Sequence, residues 1–403
     1  MTKGIAFEFL DIGQGDATLV QLPPWDAGET FLVDFGKKSS RNEPVSDAIR
    51  FLTDRISVIC HANHAVEPQL DYLCITHIDG DHWNQLEYLI NGTTPDGQSR
   101  LWEANGWPEG STLHIGQLIV GGAWEAYKKK NAQIAGAITA ALQGRRVVEF
   151  APAFSDDIGK PSFKATNTNI YVLSSNRSKG ADPNPNSVVL MFEYQDPSEN
   201  VSRKVILTGD AESAVVEPAI IEKYKSSPTF LNSYALKLGH HGSKGATSEA
   251  WVKAVLPKAV FASGDRYWGH PYCEAFARAV QYSVLAKCDK HRVCCGDANS
   301  TLEGAVDSDP KDYTNHEVEI ATFSNLWYVV KVDKESGLAP ADSSSGLPVR
   351  KEQTRGFYQG TQWRLQIDAG AAPFISCVPV WPLLTAAKKT RAHSLVGAEL
   401  ATQ

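Results

Sequence analysis

Four side chains of the kinds that bind metal ions occur within six residues, directly after a short apolar stretch at 71–75. They are His77, Asp79, Asp81 and His82, in the order Thr-His-Ile-Asp-Gly-Asp-His. Imidazole and carboxylate groups suit zinc, and carboxylate-rich sites also accept manganese or iron. A loop lets the first two side chains converge on one ion, while the second two, at a helix start, hold another; Gly80 permits the sharp backbone path between them. A polar loop capped by Asp81 is the alternative, but four ligand types together favour a metal site.

Two later apolar strands also end in residues that fit such a site. The strand at 203–208 is followed by a glycine and Asp210, an aspartate placed to bridge two metals. The strand at 233–238 is followed by a glycine, His240 and His241, of which one could bind metal while the other donates a proton. His270, between a glycine and a proline, could line the same site. Each residue alone fits an ordinary turn, so the prediction depends on three strand ends converging.

Hydrophobic periodicity predicts a β-rich first half followed by strands that alternate with helices. Strands are expected at 5–11, 17–22, 30–35, 71–75, 169–173, 187–194, 203–208, 233–238, 258–262, 317–332 and 362–368, and helices at 44–55, 82–91, 123–142, 212–225, 247–255 and 271–286. This order indicates a mixed α/β layered domain over 1–286, within which 92–160 is an insertion. Residues 287–403 are expected to form a C-terminal extension that completes or covers the domain and ends in a poorly ordered tail.

Charge, cysteine content and the length of the apolar runs limit the kinds of substrate and the cellular compartment that fit this chain. The 403 residues carry a formal net charge of −7, and Lys128-Lys129-Lys130 is the densest basic cluster, predicted to be a solvated helix face. This balance argues against strong non-specific nucleic-acid binding and leaves room for a small phosphorylated substrate or a single strand held by a local patch. Seven scattered cysteines, the lack of a signal-peptide pattern and the lack of an apolar run of about 18 residues favour a cytoplasmic protein without a membrane span.

Taken together, the motifs resemble a known family. They are Asp11-x-Gly-Gln-Gly-Asp16, Leu-Val-Asp34-x-Gly36, Thr-His77-x-Asp-x-Asp-His82, Asn186-Ser187-Val-Val-Leu, Leu-Thr-Gly-Asp210, Gly-His240-His241-Gly-Ser243 and Gly-His270-Pro271. In this order they resemble the metallo-β-lactamase domain of the DNA-uptake channel protein ComEC and its stand-alone soluble relatives. The resemblance spans roughly residues 5–285 and leaves out the membrane channel.

The resemblance implies a four-layer αββα sandwich, of the α/β (α+β) class, with two divalent metal ions at one edge. It implies ligands at His77, Asp79, Asp81, His82 and Asp210, together with one histidine of the pair, for which we favour His241. Asp79 stands where the superfamily usually has a second histidine, which makes the site more anionic and manganese plausible beside zinc. Asn186 stands where other members place a further ligand histidine. Asp11, Asp16 and Asp34 are expected to support the ligand loops rather than bind metal.

The function implied is hydrolysis by water activated between two metals, with a phosphodiester as the first choice of substrate. We expect Asp81, His240 and Lys244 to act in catalysis, and Asn186, Ser243, His270 and Trp83 to contact the substrate. A nuclease and a small-molecule phosphodiesterase both remain open. So do a lactonase or ester hydrolase, and a binding protein that keeps the fold without catalysis. The sequence does not specify an oligomeric state, and an oligomer is possible.

Overall fold

The computed structural model describes residues 3–38, 43–149, 160–177, 182–264, 270, 275, 278–279, 317–323, 326–332, 361–371 and 374–379. In this part of the chain the strands are β1 (Ile5–Leu10), β2 (Gly15–Gln21), β3 (Thr30–Lys37), β4 (Gln69–Ile75), β5 (His114–Val120), β6 (Val147–Glu149), β7 (Phe163–Ala165), β8 (Thr168–Ser174), β9 (Val189–Gln195), β10 (Ser202–Leu207), β11 (Ala235–Lys237), β12 (Ala259–Ser263), β13 (Glu317–Phe323), β14 (Leu326–Val332), β15 (Thr361–Ile367) and β16 (Phe374–Pro379). The helices are α1 (Glu43–Ala62), α2 (Leu86–Asn91), α3 (Leu101–Ala104), α4 (Trp124–Lys130), α5 (Ala132–Leu142), α6 (Val216–Lys223) and α7 (Glu249–Val255).

The strands form two mixed sheets of eight strands each. The first has the order β16-β15-β1-β2-β3-β4-β5-β6, and the second has the order β13-β14-β12-β11-β10-β9-β8-β7. In the first sheet β3, β4, β5 and β6 run parallel to one another, and in the second β10, β11 and β12 do. Because parallel strands end at the same edge of a sheet, the segments that follow β10 and β11 lie at one edge of the second sheet. The segment that follows β4 meets them from the first sheet.

Alternation of side chains along the strands separates the core into three apolar layers. In β3, Phe31 and Val33 point into the layer between the sheets, while Leu32 and Phe35 point to the other face. Between the sheets Phe31 meets Phe192 edge-on, with ring centroids 5.3 Å apart. The outer face of the first sheet packs against α1 to α5, and that of the second against α6 and α7. The result is helices, sheet, sheet, helices, which confirms the predicted αββα sandwich.

Local sequence explains where the helices differ from prediction. The helix expected over 123–142 is two helices, because Asn131 adopts an extended backbone and its side chain caps α5 by accepting a hydrogen bond from the backbone N–H of Ile134 at 3.2 Å. The helix expected over 82–91 begins as a 3₁₀ turn, Gly80–His82, and continues as α2 only from Leu86. Most of the helix expected at 271–286, and the C-terminal tail, lie outside the described residues.

The predicted insertion and the predicted C-terminal extension both contribute strands to the two sheets. Residues 92–160, interpreted from the sequence as an insertion, contain β5 and β6 of the first sheet. The single strand expected at 317–332 is an antiparallel hairpin of β13 and β14, which pairs with β12, while β15 pairs with β1. Within the described residues, no helix combines the length and apolar character needed to cross a bilayer.

Candidate metal centre

The end of β4 places the predicted histidine–aspartate motif against the end of β3. His77 and His82 are fully buried, and Asp81 nearly so. The 3₁₀ turn that carries Asp81 and His82 lies so close to Gly36 that a Cβ there would sit 2.3 Å from the backbone nitrogen of Trp83. A glycine at the end of β3 is therefore what allows the turn to approach the sheet.

Asp34 fixes the orientation of His82. Its Oδ2 accepts a hydrogen bond from His82 Nδ1 at 2.9 Å and another from the Thr76 hydroxyl at 2.8 Å, and its Oδ1 accepts from the Thr76 backbone N–H at 2.7 Å. The carboxylate is buried, and its backbone has φ 59°, a conformation that costs energy for a residue other than glycine. Since Nδ1 is engaged, His82 presents Nε2 to the interior of the cluster, as a metal-binding imidazole does.

Asp210 lies at the centre of the histidines. One of its oxygens, Oδ2, is 3.3 Å from His82 Nε2, 3.7 Å from both His240 Nε2 and His241 Nε2, and 3.8 Å from His77 Nε2. The carboxylate follows β10 through Gly209, and its backbone N–H donates to the Ser187 hydroxyl at 3.1 Å. A single carboxylate thus joins the ends of strands from both sheets.

The histidine pair after β11 divides into a buried and a half-exposed member. Both residues have positive φ, 48° for His240 and 55° for His241, within the 3₁₀ turn His240–Gly242. The His241 side chain is 1% exposed; its Nδ1 lies 3.0 Å from the Ser263 carbonyl and its Nε2 is 3.5 Å from Asp81 Oδ2. The His240 side chain is 29% exposed. The two neighbours therefore face different surroundings, His241 the interior and His240 the solvent side.

Several polar atoms of this cluster are buried without a hydrogen-bond partner among the described residues. They are the Nε2 atoms of His77, His82 and His241, and Oδ1 of Asp210. Buried polar groups are ordinarily paired, because leaving one unpaired costs about 1–3 kcal/mol. Ligand atoms of His77, His82 and Asp210 all lie within 4.8 Å of one another, as do those of Asp81, His82 and His241. These atoms fit a divalent cation, so the cluster could hold a metal.

Crowding of charges controls the protonation of the cluster. Burial alone would lower the pKa of His82, but the carboxylates of Asp210 and Asp34 outweigh it and raise that pKa well above its ordinary value. Burial would raise the pKa of Asp210, yet His82 and His241 hold it well below its usual range. Burial and the neighbouring His82 lower the pKa of His77. The surrounding carboxylates thus favour the protonated form of His82, and a cation held by the cluster would compete with that proton.

An ion pair beneath the cluster was not predicted from the sequence. Lys237 Nζ lies 2.6 Å from Asp16 Oδ2, and the two side chains are only 5% and 3% exposed. The pair joins β2 of the first sheet to β11 of the second, and the other oxygen of Asp16 is 3.8 Å from His241 Nδ1. The signal was a lysine within the apolar strand ALKL, where a charged side chain requires a partner.

Asp79 is less enclosed than the other predicted ligands. Its Oδ2 is 3.8 Å from His77 Nε2, while its Oδ1 forms an ion pair with Lys130 Nζ at 3.0 Å. Lys130 ends α4 and belongs to the lysine cluster that was predicted to be a solvated helix face. One of those lysines instead reaches the metal-binding motif.

The predicted substrate contacts lie at varying distances from the cluster. His270 packs near the histidine pair, with ring centroids 6.0 Å from both members; burial and these histidines lower its pKa to about 4. Asn186 is partly buried beside Ser187, whose hydroxyl contacts Asp210. Ser243 is partly buried, its hydroxyl accepting from the Gly245 backbone, and Lys244 is exposed on the same turn.

Trp83 does not occupy the position expected of a substrate contact. The side chain is 1% exposed, belongs to the core under the outer helices and meets Tyr127 edge-on at 5.2 Å. Its indole N–H donates to the Ile78 carbonyl at 2.9 Å. Its place beside the ligand motif therefore reflects packing, because the ring is buried in the core under the outer helices.

The architecture and the cluster together define the class: a mixed α/β protein with two sheets, consistent with the metallo-β-lactamase sandwich, carrying a potential metal site at the strand ends. No family model matches the chain. It is 24% identical over 300 residues to ComE operon protein 3 of Bacillus subtilis (strain 168), a match that covers 73% of this chain and 32% of that protein. The chain therefore spans about a third of the length of this curated relative.

Similar solved structures are metallo-β-lactamase fold proteins. YhfI from Bacillus subtilis is 14% identical, with a TM-score of 0.29 and coverage of 58% of this chain and 69% of that one. A putative metallo-β-lactamase from Thermotoga maritima is also 14% identical, with a TM-score of 0.26 and coverage of 51% and 79%. At these TM-scores the assignment of the fold rests on the layers and strand order described above. The curated relative, a ComE operon protein, agrees with the resemblance that the sequence motifs indicated.

Proposed function

We propose that this protein is a metal-dependent hydrolase that uses two divalent cations, zinc or manganese, to cleave a phosphodiester. The observation that carries the proposal is the set of buried imidazole nitrogens and one carboxylate oxygen that lack hydrogen-bond partners and converge within a few ångströms. Such an arrangement is costly unless a cation satisfies it.

The ligands divide into two groups around Asp210. His77 and Asp79 would hold one cation and Asp81, His82 and His241 the other, with Asp210 reaching both. His241 is preferred to His240 because its Nε2 is buried, unpartnered and 3.5 Å from Asp81. When bound, the cations supply a nucleophile at neutral pH by lowering the pKa of water and neutralise charge on the attacked group.

The chain's own residues would orient and complete this chemistry. Asp34 and the Ser263 carbonyl hold His82 and His241 by Nδ1, so that each presents Nε2. His240, partly exposed and 3.7 Å from Asp210, would donate a proton to the leaving oxygen. Ser243 and Lys244 lie on the turn that follows, where they would contact the substrate.

Bound cations favour an anionic substrate. Six carboxylates lie around the histidines, with two ammonium groups beside them: Asp16, Asp34, Asp79, Asp81, Asp210 and Glu212, with Lys130 and Lys237. An anionic cluster of this kind favours divalent cations, and cations held there would neutralise the negative charge of a phosphodiester at the attacked group. A neutral ester or lactone would gain less from them.

The test compares turnover of bis(p-nitrophenyl) phosphate with that of p-nitrophenyl acetate, after loading the full chain with zinc or manganese. We expect metal-dependent turnover of the diester that is lost in Asp81→Asn and retained in Asp96→Asn, a matched change at an exposed aspartate that pairs with Arg50. Turnover of the acetate alone would indicate an ester hydrolase. No turnover of either substrate would leave a binding protein and refute the proposal.

A further inference from the structure

Lys130 occupies a position that the proposed function does not yet use. Its Nζ lies 3.0 Å from Asp79 Oδ1, and the other oxygen of the same carboxylate faces His77 Nε2 at 3.8 Å. Asp79 is therefore shared between a cation that belongs to the protein and the ligand set of the metal site. The side chains of Lys130 and Asp79 are 43% and 39% exposed, so that a substrate can reach both.

The backbone holds Lys130 at this place. The helix that carries it, α4, is anchored by the buried rings of Trp124 and Tyr127, and the Tyr127 hydroxyl donates to the Gly121 carbonyl at 2.7 Å. The next residue, Asn131, leaves the helical conformation and caps α5. The end of α4 is thus fixed from both sides, and its last side chain points toward the metal-binding motif.

The two neighbouring lysines lack this contact. Lys128 pairs with Glu125 on its own helix at 2.5 Å. Lys129 is exposed, and among the described residues it forms no ion pair. The three lysines are adjacent in sequence and have the same side chain, so Lys128 and Lys129 serve as internal controls for Lys130.

We propose that Lys130 is a specificity-determining residue. In the metal-free protein it forms an ion pair with Asp79, and once a cation is bound by that carboxylate it contacts the anionic oxygen of the substrate. The inference rests on the proposed function. A cation held by Asp79 would neutralise part of the negative charge with which Lys130 pairs, and it would repel the ammonium group, since the two positive charges have the same sign. The ammonium then lies beside the metal site without its partner, and a phosphate oxygen supplies a new one. A neutral ester supplies no anionic oxygen, so Lys130 gives it no advantage.

The first measurement is metal affinity, which does not require turnover. Metal-stripped full-length protein is titrated with Mn²⁺, and free Mn²⁺ is followed by electron paramagnetic resonance. Lys130 competes with the cation for Asp79, so Lys130→Met should raise the affinity for the more weakly bound of the two Mn²⁺ ions. The increase should be up to about fivefold, which is the free energy of an exposed ion pair expressed as a ratio of dissociation constants. Lys130→Arg, which keeps the charge, and Lys129→Met should match the wild type. Equal affinity in Lys130→Met and wild type would overturn the competition for Asp79.

The second measurement is substrate discrimination at saturating Mn²⁺. Loss of a charge-assisted hydrogen bond should lower kcat/KM of Lys130→Met for bis(p-nitrophenyl) phosphate by about tenfold or more, and leave p-nitrophenyl acetate within about twofold of wild type. Lys129→Met should change neither. An equal loss for both substrates would show that Lys130 is only structural and would overturn the proposed contact. If the wild type cleaves neither substrate, the proposed function and the substrate contact both fail, while the Mn²⁺ titration still decides the competition for Asp79.

Discussion

Replacing Lys237 with methionine removes the buried cation that pairs with Asp16 and leaves a carboxylate inside the sandwich without its counter-charge. The two groups are 2.6 Å apart and almost fully buried. At an effective dielectric constant of about 20, unit charges at this separation attract by about 6 kcal/mol, and desolvation offsets part of that. We therefore expect Lys237→Met to lower the free energy of unfolding of the metal-free protein by about 3–5 kcal/mol, and Asp16→Asn to lower it by a similar amount.

The double variant tests whether the pair acts as a unit. Lys237→Met with Asp16→Asn should cost no more than either single change, because both charges are gone and neither is left unpaired. Urea unfolding of metal-free protein, followed by tryptophan fluorescence with an unchanged slope, measures all three. Lys253→Met is the matched control, since Lys253 and Glu249 are 2.7 Å apart but about half exposed, and it should cost less than about 1 kcal/mol. Additive losses in the double variant, or single losses no larger than the control, would refute a buried, coupled pair.

Three further expectations concern the ligands and their supports. Asp34→Ala should weaken metal affinity by about 10–100-fold in a calorimetric titration, because His82 loses the acceptor that orients it; unchanged affinity would contradict that role. In the metal-free protein the raised pKa of His82 means that the stabilisation from its proton is fully present below pH 6.5 and is lost as the pH rises through the raised value. The thermal midpoint, relative to a His82→Gln variant, should therefore fall over that window while metal affinity rises, and a flat profile would count against a shared proton. Trp83→Phe should lower the thermal midpoint and leave KM unchanged, since the ring packs in the core; a raised KM with normal stability would restore it as a substrate contact.

Much of the site was predictable because ligand residues follow apolar strands. His77, Asp81 and His82 follow one strand, and Asp210 and His241 follow two others, and their ligand atoms lie together as expected. Asp210 and His241 meet because β10 and β11 are parallel and end at one edge, and they meet the other three because the two sheets stack. The orientation of His82 could not be predicted from the local sequence, because it depends on Asp34, which lies 48 residues away at the end of another strand.

What the sequence did not yield were contacts between distant charged residues. Lys237 and Asp16 are 221 residues apart, and their pairing depends on how the two sheets stack. Lys130 reaches Asp79 from the last position of α4, beside a helix break at Asn131 that the helical periodicity across 123–142 did not reveal. The local sequence pattern thus predicted most helices and strands and the residues at their ends. The ion pairs between distant residues depend on the three-dimensional fold and could not be predicted from that pattern.

The same limit applies to Trp83. A tryptophan beside a ligand motif suggests a pocket, but the side of the turn that it faces is set by the approach of Gly36 and by Tyr127 on α4. Neither contact leaves a trace in the local sequence.

The most direct test of the metal centre is the metal content of the purified full chain after incubation with zinc or manganese and removal of the excess, measured by plasma mass spectrometry. His82→Ala removes a central imidazole, and His64→Asn removes an exposed histidine outside the cluster. We expect about two equivalents of metal per chain in the wild type and in His64→Asn, and a clear loss in His82→Ala. Wild-type protein that retains no metal, or a His82→Ala variant that retains as much as the wild type, would contradict the assignment of this cluster as a metal centre.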